Sequence, residues 1–466
     1  MHDKLSGAFW RRTLTGGLAL AVLSGCSMIP AYERPAAPVA AGWPGQMASD
    51  ATLPAAADVP WNEFVRDKRL RELITLAIEN NRDLRVAVLN IEQVRAQYQI
   101  QRANQFPNLN LAATGNRQPD GDGGIASAYS VGLTMSSWEL DFFGRVASLK
   151  EAALAQYLAS EEARRAAQIS LVASVASTWL SLQTNDQLLA STQHTLVTRE
   201  DSLRLIQLRF DNGATSALDL RQAESLTAAA RVALAQQRRQ RLLDLNALTL
   251  LVGQPIPEHL VATGPVTNRD TSLPDVPAGM PSDLLTRRPD IRQAEQALLA
   301  ANANIGAARA AFFPRISLTA GVGTASNELS GLFRDGSWGF TLAPQALLPI
   351  FDAGRNQAGL ASAQAARDIA VAQYEKAIQV AFREVADALA GRATLEEQRV
   401  AQRAQGNAEA ERLRLAELRY RHGVASYLDV LDAQRGLFAI QQAMAQTRLA
   451  QQQNQVALYK ALGGGF

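Results

Sequence analysis

The sequence of 466 residues predicts a mainly α-helical chain with a smaller part of membrane β-structure and an internal structural repeat. Two long stretches without proline, residues 145–212 and residues 355–422, predict the helical part. Four short segments with alternating apolar and polar residues predict the strands. These helical and alternating segments occur twice in the same order, which indicates a duplicated chain.

The duplication is visible as two stretches that align without a gap. Leu203–Leu220 and Leu413–Val430 lie 210 residues apart, and nine of their 18 aligned residues are identical. Further matches in the same order have offsets of 207 to 210 residues, and they are Asp83 with Asp290, Phe106-Pro107 with Phe313-Pro314, Gly144-Arg145 with Gly354-Arg355, and Gly253 with Gly463. So many ordered matches at nearly one offset indicate two structural repeats.

Each repeat is predicted to contain a long helical hairpin. Residues 145–212 contain neither glycine nor proline, and at 1.5 Å per residue such a helix is roughly 100 Å long. Gly213 and Gly423 predict helix ends, because glycine accepts the left-handed conformation that follows a helix. Return helices are expected over residues 217–252 and 427–462. The alternative interpretation of these hairpins is a soluble coiled-coil tether.

The strands are expected in pairs, at about 107–137 in the first repeat and at about 314–346 in the second. Alternating segments with turns between them are typical of membrane β-barrels, and aromatic residues near the strand ends suit the membrane interface. Four strands cannot close a barrel alone. Three chains would give a wide barrel of twelve strands, whereas two chains would give eight strands around a filled interior. Two soluble β-hairpins are the alternative that alternation leaves open.

The start of the chain predicts a secretory signal that ends before a lipidated cysteine. Basic residues precede an apolar stretch over residues 14–23, which is too short to span a bilayer as a helix. The sequence Leu23-Ser24-Gly25-Cys26 resembles the bacterial lipobox, in which the cysteine receives N-palmitoyl and S-diacylglycerol groups. Several acyl chains give durable anchorage where one does not. The alternative is a chance cysteine at an ordinary cleavage site.

Composition excludes several classes of function. The chain has 46 basic and 44 acidic residues, so it lacks the charge excess of a nucleic-acid-binding protein. Its four histidines are scattered and Cys26 is its only cysteine, so we expect no metal site. The sequence shows no phosphate-binding loop and no nucleophile–base pair, so we expect neither a cofactor nor an enzyme activity. No apolar run of 18 residues follows Cys26, so the mature protein is expected to lack a transmembrane helix.

These features divide the chain into five segments. Residues 1–25 are expected to form the signal peptide, and residues 26–71 a lipidated N-terminal segment. Repeat 1 extends over residues 72–253, a proline-rich linker over 254–281, and repeat 2 over 282–463. Each repeat is expected to contain a helix, two strands and a long helical hairpin.

The chain resembles the TolC-like outer-membrane efflux factors, in their OprM-like lipoprotein branch. The resemblance covers residues 26–463, and it rests on the lipobox, Trp61-Asn62-Glu63-Phe64, Asp67, Asn80-Asn81, the two Phe-Pro and two Gly-Arg junctions, Tyr420 and Tyr427–Gln434. The family implies a homotrimer whose twelve-stranded barrel in the outer membrane continues as a twelve-helix α-barrel through the periplasm. It also implies a periplasmic adaptor protein and an inner-membrane RND-type transporter, which dock near the turns at Gly213 and Gly423.

The resemblance also implies a gate at the periplasmic end. Asp429 and Asp432 match the acidic pair of the family, and their spacing places both on one face of a helix. Three copies would form rings of carboxylates that repel anions and attract cations. The alternative is two solvated carboxylates near a helix start, where the macrodipole favours them.

A second pair of residues is implied to fasten that gate. Asp219 and Tyr420 match family positions whose hydrogen bond holds the closed end together. The better-known drug duct of the family has an arginine at the position of Ala425. We therefore expect a thinner network here, or one that uses Arg419, Arg421 or Asp211.

The function implied by the resemblance is the exit duct of a tripartite efflux pump for drugs or other toxic compounds, opened by its partners. A type I protein-secretion duct has the same fold. A non-conducting structural envelope lipoprotein is a further alternative. Because pump and adaptor largely select the cargo, drugs, solvents, aromatic acids and metals all remain open as substrates.

Overall fold

The computed structural model of the chain describes residues 27–43, 58–119, 121, 123–261, 273–274, 276–277, 279 and 281–464. The expected signal peptide and Cys26 lie outside the described residues. The chain divides into two compact units. Unit 1 comprises residues 1–37, 89–161 and 293–376, and unit 2 comprises residues 38–88, 162–292 and 377–466. Each unit therefore combines parts of both sequence repeats.

The helices and strands follow the same order in the two repeats. The helices are α1 (Trp61–Phe64), α2 (Lys68–Asn80), α3 (Arg82–Ala103), α4 (Arg145–Asp211), α5 (Ala217–Val252), α6 (Glu258–Val261), α7 (Leu284–Arg287), α8 (Pro289–Ala310), α9 (Arg355–Arg421) and α10 (Tyr427–Ala461). The strands are β1 (Asn110–Pro119), β2 (Ile125–Leu140), β3 (Arg315–Ser326) and β4 (Trp338–Leu347).

Unit 1 contains the strands, which form one antiparallel sheet in the order β1-β2-β3-β4. Strands β2 and β3 pair across the two repeats, and Gly132 lies opposite Gly323. The two backbones approach closely at this point, because a Cβ atom on Gly323 would lie 2.3 Å from the carbonyl oxygen of Val131. All of β4 and nearly all of β1 is exposed to solvent in the single chain. The sheet therefore has two unpaired edges, at β1 and β4.

The segment that begins at residue 27 lies along α8 in unit 1. The Arg34 guanidinium forms an ion pair with Glu295, with an Nε–Oε1 distance of 2.7 Å. The side chain of Asn302 donates a hydrogen bond to the carbonyl oxygen of Pro30, at 2.8 Å. Arg309 also donates a hydrogen bond to the Met28 carbonyl, at 3.3 Å. Side chains of α8 thus hold this segment at three levels.

The two longest helices, α4 and α9, each have 67 residues. They have the lengths that the sequence predicts, because strong helix formers fill both stretches and proline is absent from them. Each helix turns back into a shorter one, so that α4 and α5 form hairpin 1 and α9 and α10 form hairpin 2. None of the helices in the described ranges is both long and apolar enough to cross a membrane.

A buried arginine joins three parts of unit 2. Arg288 contacts Asp290 at 2.5 Å and Glu384 at 2.8 Å, and it donates a hydrogen bond to the carbonyl oxygen of Ala461. A buried charge is tolerated only when it is paired and hydrogen-bonded, and this arrangement satisfies both conditions. In the same unit, the rings of Phe64 and Tyr459 stack with centroids 3.9 Å apart.

Candidate functional site: the hairpin turns

The turns of both hairpins have the same backbone structure. The Gly213 amide donates to the Phe210 carbonyl, and the Ala214 amide donates to the Arg209 carbonyl at 2.7 Å. The corresponding bonds form around Gly423 in hairpin 2. Gly213 and Gly423 have φ angles of 70° and 72°, which is the left-handed conformation that this helix ending requires. Both glycines face open space, so the turns are free to contact another molecule.

Asp219 lies in the first turn of α5 in hairpin 1. Its carboxylate accepts hydrogen bonds from the hydroxyls of Ser216 at 2.7 Å and Thr215 at 2.9 Å, and from the Ser216 amide at 3.2 Å. The Asp219 amide in turn donates to the Ser216 hydroxyl, which completes a capping box. These bonds, above all that from Ser216, lower the pKa of Asp219 below its ordinary value.

Among the described residues of the single chain, Asp219 and Tyr420 are not hydrogen-bonded to each other, so the fastening role implied for this pair stays a prediction. The carboxylate of Asp219 is occupied by the start of its own helix. The hydroxyl of Tyr420 instead accepts a hydrogen bond from Arg209 of α4. The guanidinium of Arg209 also lies over the ring of Tyr420, 5.5 Å from its centroid. Tyr420 is therefore bonded to the Arg209 cation of hairpin 1 and not to the Asp219 carboxylate of the same hairpin.

An aromatic contact extends this interaction. The ring of Tyr427, at the start of α10, lies 5.0 Å from that of Tyr420. Tyr427 also packs against a buried cluster of hairpin 1 that consists of Ile206, Leu220 and Ala223. The two hairpins are therefore joined near their turns by an apolar contact and a polar contact. We call Arg209, Tyr420 and Tyr427 the tip clasp.

A second arginine of α4 contacts hairpin 2 further from the turns. Arg199 is only 6% exposed, and its guanidinium lies 5.2 Å from the ring centroid of Phe438 in α10. It donates a hydrogen bond to the Leu226 carbonyl at 3.0 Å. Burial lowers the pKa of Arg199. Arginine–aromatic contacts thus join the hairpins at two levels.

Asp432 lies in α10 between two arginines. Arg412 of α9 donates a hydrogen bond to its carboxylate, and Arg435 of α10 approaches it to 3.5 Å. Arg412 also forms an ion pair with Glu409 at 3.1 Å. The charge of Asp432 is therefore compensated within the same chain.

Asp429 differs from Asp432 in this respect. It is exposed, and its carboxylate has no hydrogen-bond or ion-pair partner among the residues that the structure describes. The repeat aligns Asp429 with Asp219, but the side chain of Ser426 makes no capping bond in hairpin 2. Of the two acidic residues expected at a gate, only Asp429 offers an uncompensated carboxylate.

The sequence offers Arg419, Arg421 and Asp211 in place of the arginine that is missing at Ala425. Arg421 lies 3.5 Å from Glu417, and Asp211 accepts a hydrogen bond from Gln207 at 2.8 Å. Among the described residues, neither side chain is hydrogen-bonded to that of Tyr420. Arg209, which is so bonded, was missed by the sequence analysis. The sequence Ser216-Ala-Leu-Asp219, a serine followed three residues later by an acid, would have revealed the capping box.

Cys26 lies outside the described residues, so its lipidation stays a prediction. Within the described ranges, no group of three or more acidic, histidine or cysteine side chains is arranged to hold a metal ion.

Comparison with known proteins adds two kinds of similarity. The family described as outer membrane efflux protein matches residues 73–254 and 280–464. The toluene efflux pump outer membrane protein TtgC of Pseudomonas putida is 49% identical over 455 residues, covering 96% of this chain and 94% of the relative. Outer membrane protein OprJ of Pseudomonas aeruginosa is 50% identical over 452 residues, covering 95% and 94%.

The fold is likewise similar to that of a solved channel. The MtrE outer membrane channel of Neisseria gonorrhoeae, in its open state, has a TM-score of 0.87 and a sequence identity of 42%. The similarity covers 94% of this chain and 98% of that chain.

Proposed function

Because the chain belongs to the outer membrane efflux protein family, we propose that it forms the passive, trimeric exit duct of a tripartite efflux pump. The chain is an outer-membrane component of an efflux pump, and its fold combines a helical barrel with β-strands. In this proposal the chain catalyses no reaction. A periplasmic adaptor and an inner-membrane RND-type transporter open the duct and supply the energy.

The unpaired edges of the sheet are the observation that carries the proposal. Backbone N–H and C=O groups of β1 and β4 have no partner strand on their outer sides, and in lipid each unsatisfied group costs several kcal/mol. Pairing β4 of one copy with β1 of the next closes the sheet. Apolar side chains on these strands, among them Leu111 and Phe340, are each 75% exposed in one chain. They suit a lipid-facing surface.

Three copies fit this closure better than two. Twelve strands leave an aqueous interior, whereas eight give a barrel that side chains fill. The long helices support the same conclusion, because three chains bring twelve helical segments together into a tube. We propose that this tube crosses the periplasm.

The hairpin turns are the proposed gate and docking site. We assign the closing contact to the tip clasp and an acidic ring to Asp429, with Asp432 beside it. The exposed turns at Gly213 and Gly423 are the proposed docking points of the adaptor. The alternative assignment, that Asp429 merely favours the start of α10 through the helix dipole, predicts that its charge has no effect on conduction.

We propose that residues 1–25 are removed and that Cys26 carries the N-palmitoyl and S-diacylglycerol groups. The side chains of α8 that hold the following segment support this proposal, because they tie the N-terminal segment to the unit that contains the strands. Mass spectrometry of the mature N-terminal peptide tests it. A peptide with an unmodified Cys26 would contradict it.

The cargo is proposed by analogy with the relatives. Their names include an antibiotic efflux protein and solvent or toluene efflux proteins, all from Pseudomonas putida. We propose that this duct likewise passes antibiotics and organic solvents, with the transporter selecting among them. A type I protein-secretion duct remains the alternative function, and export of an unfolded protein in place of small molecules would favour it.

Conductance tests the duct itself. The purified protein is reconstituted into a planar lipid bilayer after its trimeric mass has been measured in detergent. Discrete conductance steps are expected from the trimer. Their complete absence, with the trimer intact, would instead support a structural envelope lipoprotein.

A further inference from the structure

The charges around Asp432 alter the electrostatics that its position implies. Arg412 and Arg435 both contact this carboxylate, and Glu409 shares Arg412. These four side chains carry two positive and two negative charges and are neutral as a group. Asp429, by contrast, has no compensating partner among the described residues.

We infer that Arg412 and Arg435 neutralise Asp432, so that of the two expected acidic rings only that of Asp429 stays uncompensated, and the duct admits anions as well as cations. The inference rests on the proposed function, because it places these residues at the constriction. Arg412 and Arg435 thereby become residues that determine charge selectivity. The cargo class that follows includes anionic and zwitterionic compounds, which two uncompensated rings would repel.

The physical reason is the density of charge at a narrow opening. In a trimer, two uncompensated rings place six carboxylates around one aqueous path, and ions that cross it experience their summed potential. Cations held beside three of those carboxylates cancel their field at distances longer than the ion pair itself. This cancellation depends only on where the charges lie. It therefore does not require the ion pair to stabilise the fold, and an ion pair between exposed side chains is expected to contribute little stability.

The test is the reversal potential of the reconstituted trimer in a gradient of potassium chloride. Arg412→Gln removes the cation that reaches Asp432 from α9. We expect it to raise the ratio of potassium to chloride permeability by about twofold or more, since it uncovers three carboxylates per trimer. Arg414→Gln is the matched control. Arg414 is two residues away on the same helix, is 62% exposed, and pairs with Glu411 instead.

Two neutralising variants complete the set. Asp429→Asn removes the uncompensated ring, so it is expected to lower the permeability ratio clearly. Asp432→Asn leaves Arg435 without its ion-pair partner and Arg412 with Glu409 alone, so it is also expected to lower the ratio of potassium to chloride permeability. The double variant Arg412→Gln/Asp432→Asn removes one charge of each sign and is expected to return the ratio to that of the unmodified protein.

The outcomes separate the inference from the proposed function. If the protein conducts but Arg412→Gln and Arg414→Gln shift the ratio equally, the effect is one of overall charge and the inference is wrong. A double variant that stays as cation-selective as Arg412→Gln would also overturn it, because Asp432 would then not be the carboxylate that was uncovered. A trimer with no conductance in any form would contradict the proposed duct, and the inference with it.

Discussion

The tip clasp makes the sharpest prediction about gating. Replacing Arg209 with glutamine removes the hydrogen bond to the Tyr420 hydroxyl and the cation over its ring. Hydrogen bonds from charged groups are worth about 1.5–3 kcal/mol when buried, and exposed cation–π contacts about 0.5–1 kcal/mol. Because both side chains are half-exposed, we take about 1 kcal/mol for each protomer.

That value determines the expected size of the effect. Three clasps released together shift the opening equilibrium of a trimer by about 3 kcal/mol, or roughly a hundredfold. The open probability of single trimers in a planar bilayer is the measurement. Arg209→Gln is expected to raise it strongly, and Tyr420→Phe, which keeps the ring and loses the hydroxyl, is expected to raise it less.

A matched control and a double variant make the result decisive. Arg204 lies on the same helix, is 81% exposed and pairs with Asp201, so Arg204→Gln should leave gating unchanged. If Arg209 acts through Tyr420, the double variant Arg209→Gln/Tyr420→Phe should have an open probability little higher than that of Arg209→Gln alone. Purely additive effects, or an equal response to Arg204→Gln, would refute the clasp.

Two further predictions concern stability. Asp219→Ala removes the capping box and is expected to cost about 1 kcal/mol at the start of α5, so hydrogen exchange there should become faster. Hydrogen bonds from Ser216 lower the pKa of Asp219. The stabilisation by the ionised carboxylate is therefore complete above the ordinary pKa of about 3.9, and it is lost as pH falls through the pKa of the folded protein. A destabilisation by Asp219→Ala that persists at the lowest pH would contradict this assignment. Gly323→Val is expected to prevent β2–β3 pairing, because its side chain would overlap the Val131 carbonyl, and to lower the yield of membrane trimer. Gly339→Val in β4, where nothing lies within 4 Å of the added Cβ, is the control, and equal yields would show that the close approach is unimportant.

The helices could be predicted almost residue by residue because their signals are local. A stretch without glycine or proline ends at Gly213, and α4 ends at Asp211. The strands were predicted less well at their ends. The expected pair ended at about residue 137, but β2 continues to Leu140. Its pairing with β3 is irregular between Met135 and Trp138, and such an irregularity interrupts the alternation on which a pattern search depends.

The contacts near the turns could not be predicted in the same way. Arg209 and Tyr420 are 211 residues apart in the sequence, and their contact depends on the rotation of two long helices about their axes. Neither propensity nor spacing fixes that rotation. The resemblance to a family implied Tyr420 as a fastening residue, a role that stays a prediction. Its implied partner, Asp219, is hydrogen-bonded within the capping box of its own helix.

The duplication explains why the two hairpins need not behave alike. Both repeats keep an arginine before the turn, Arg209 and Arg419, but only the second repeat has a tyrosine, Tyr420, where the first has Phe210. A phenylalanine has no hydroxyl to accept a hydrogen bond, so this chain can form the clasp between Arg209 and Tyr420 but not the reciprocal one. The start of α5 is capped, whereas the start of α10 lacks a side-chain cap, a difference typically worth about 1 kcal/mol. Hairpin 2 is therefore the one whose tip is held mainly by its contact with hairpin 1, and it is the one expected to move when that contact is released.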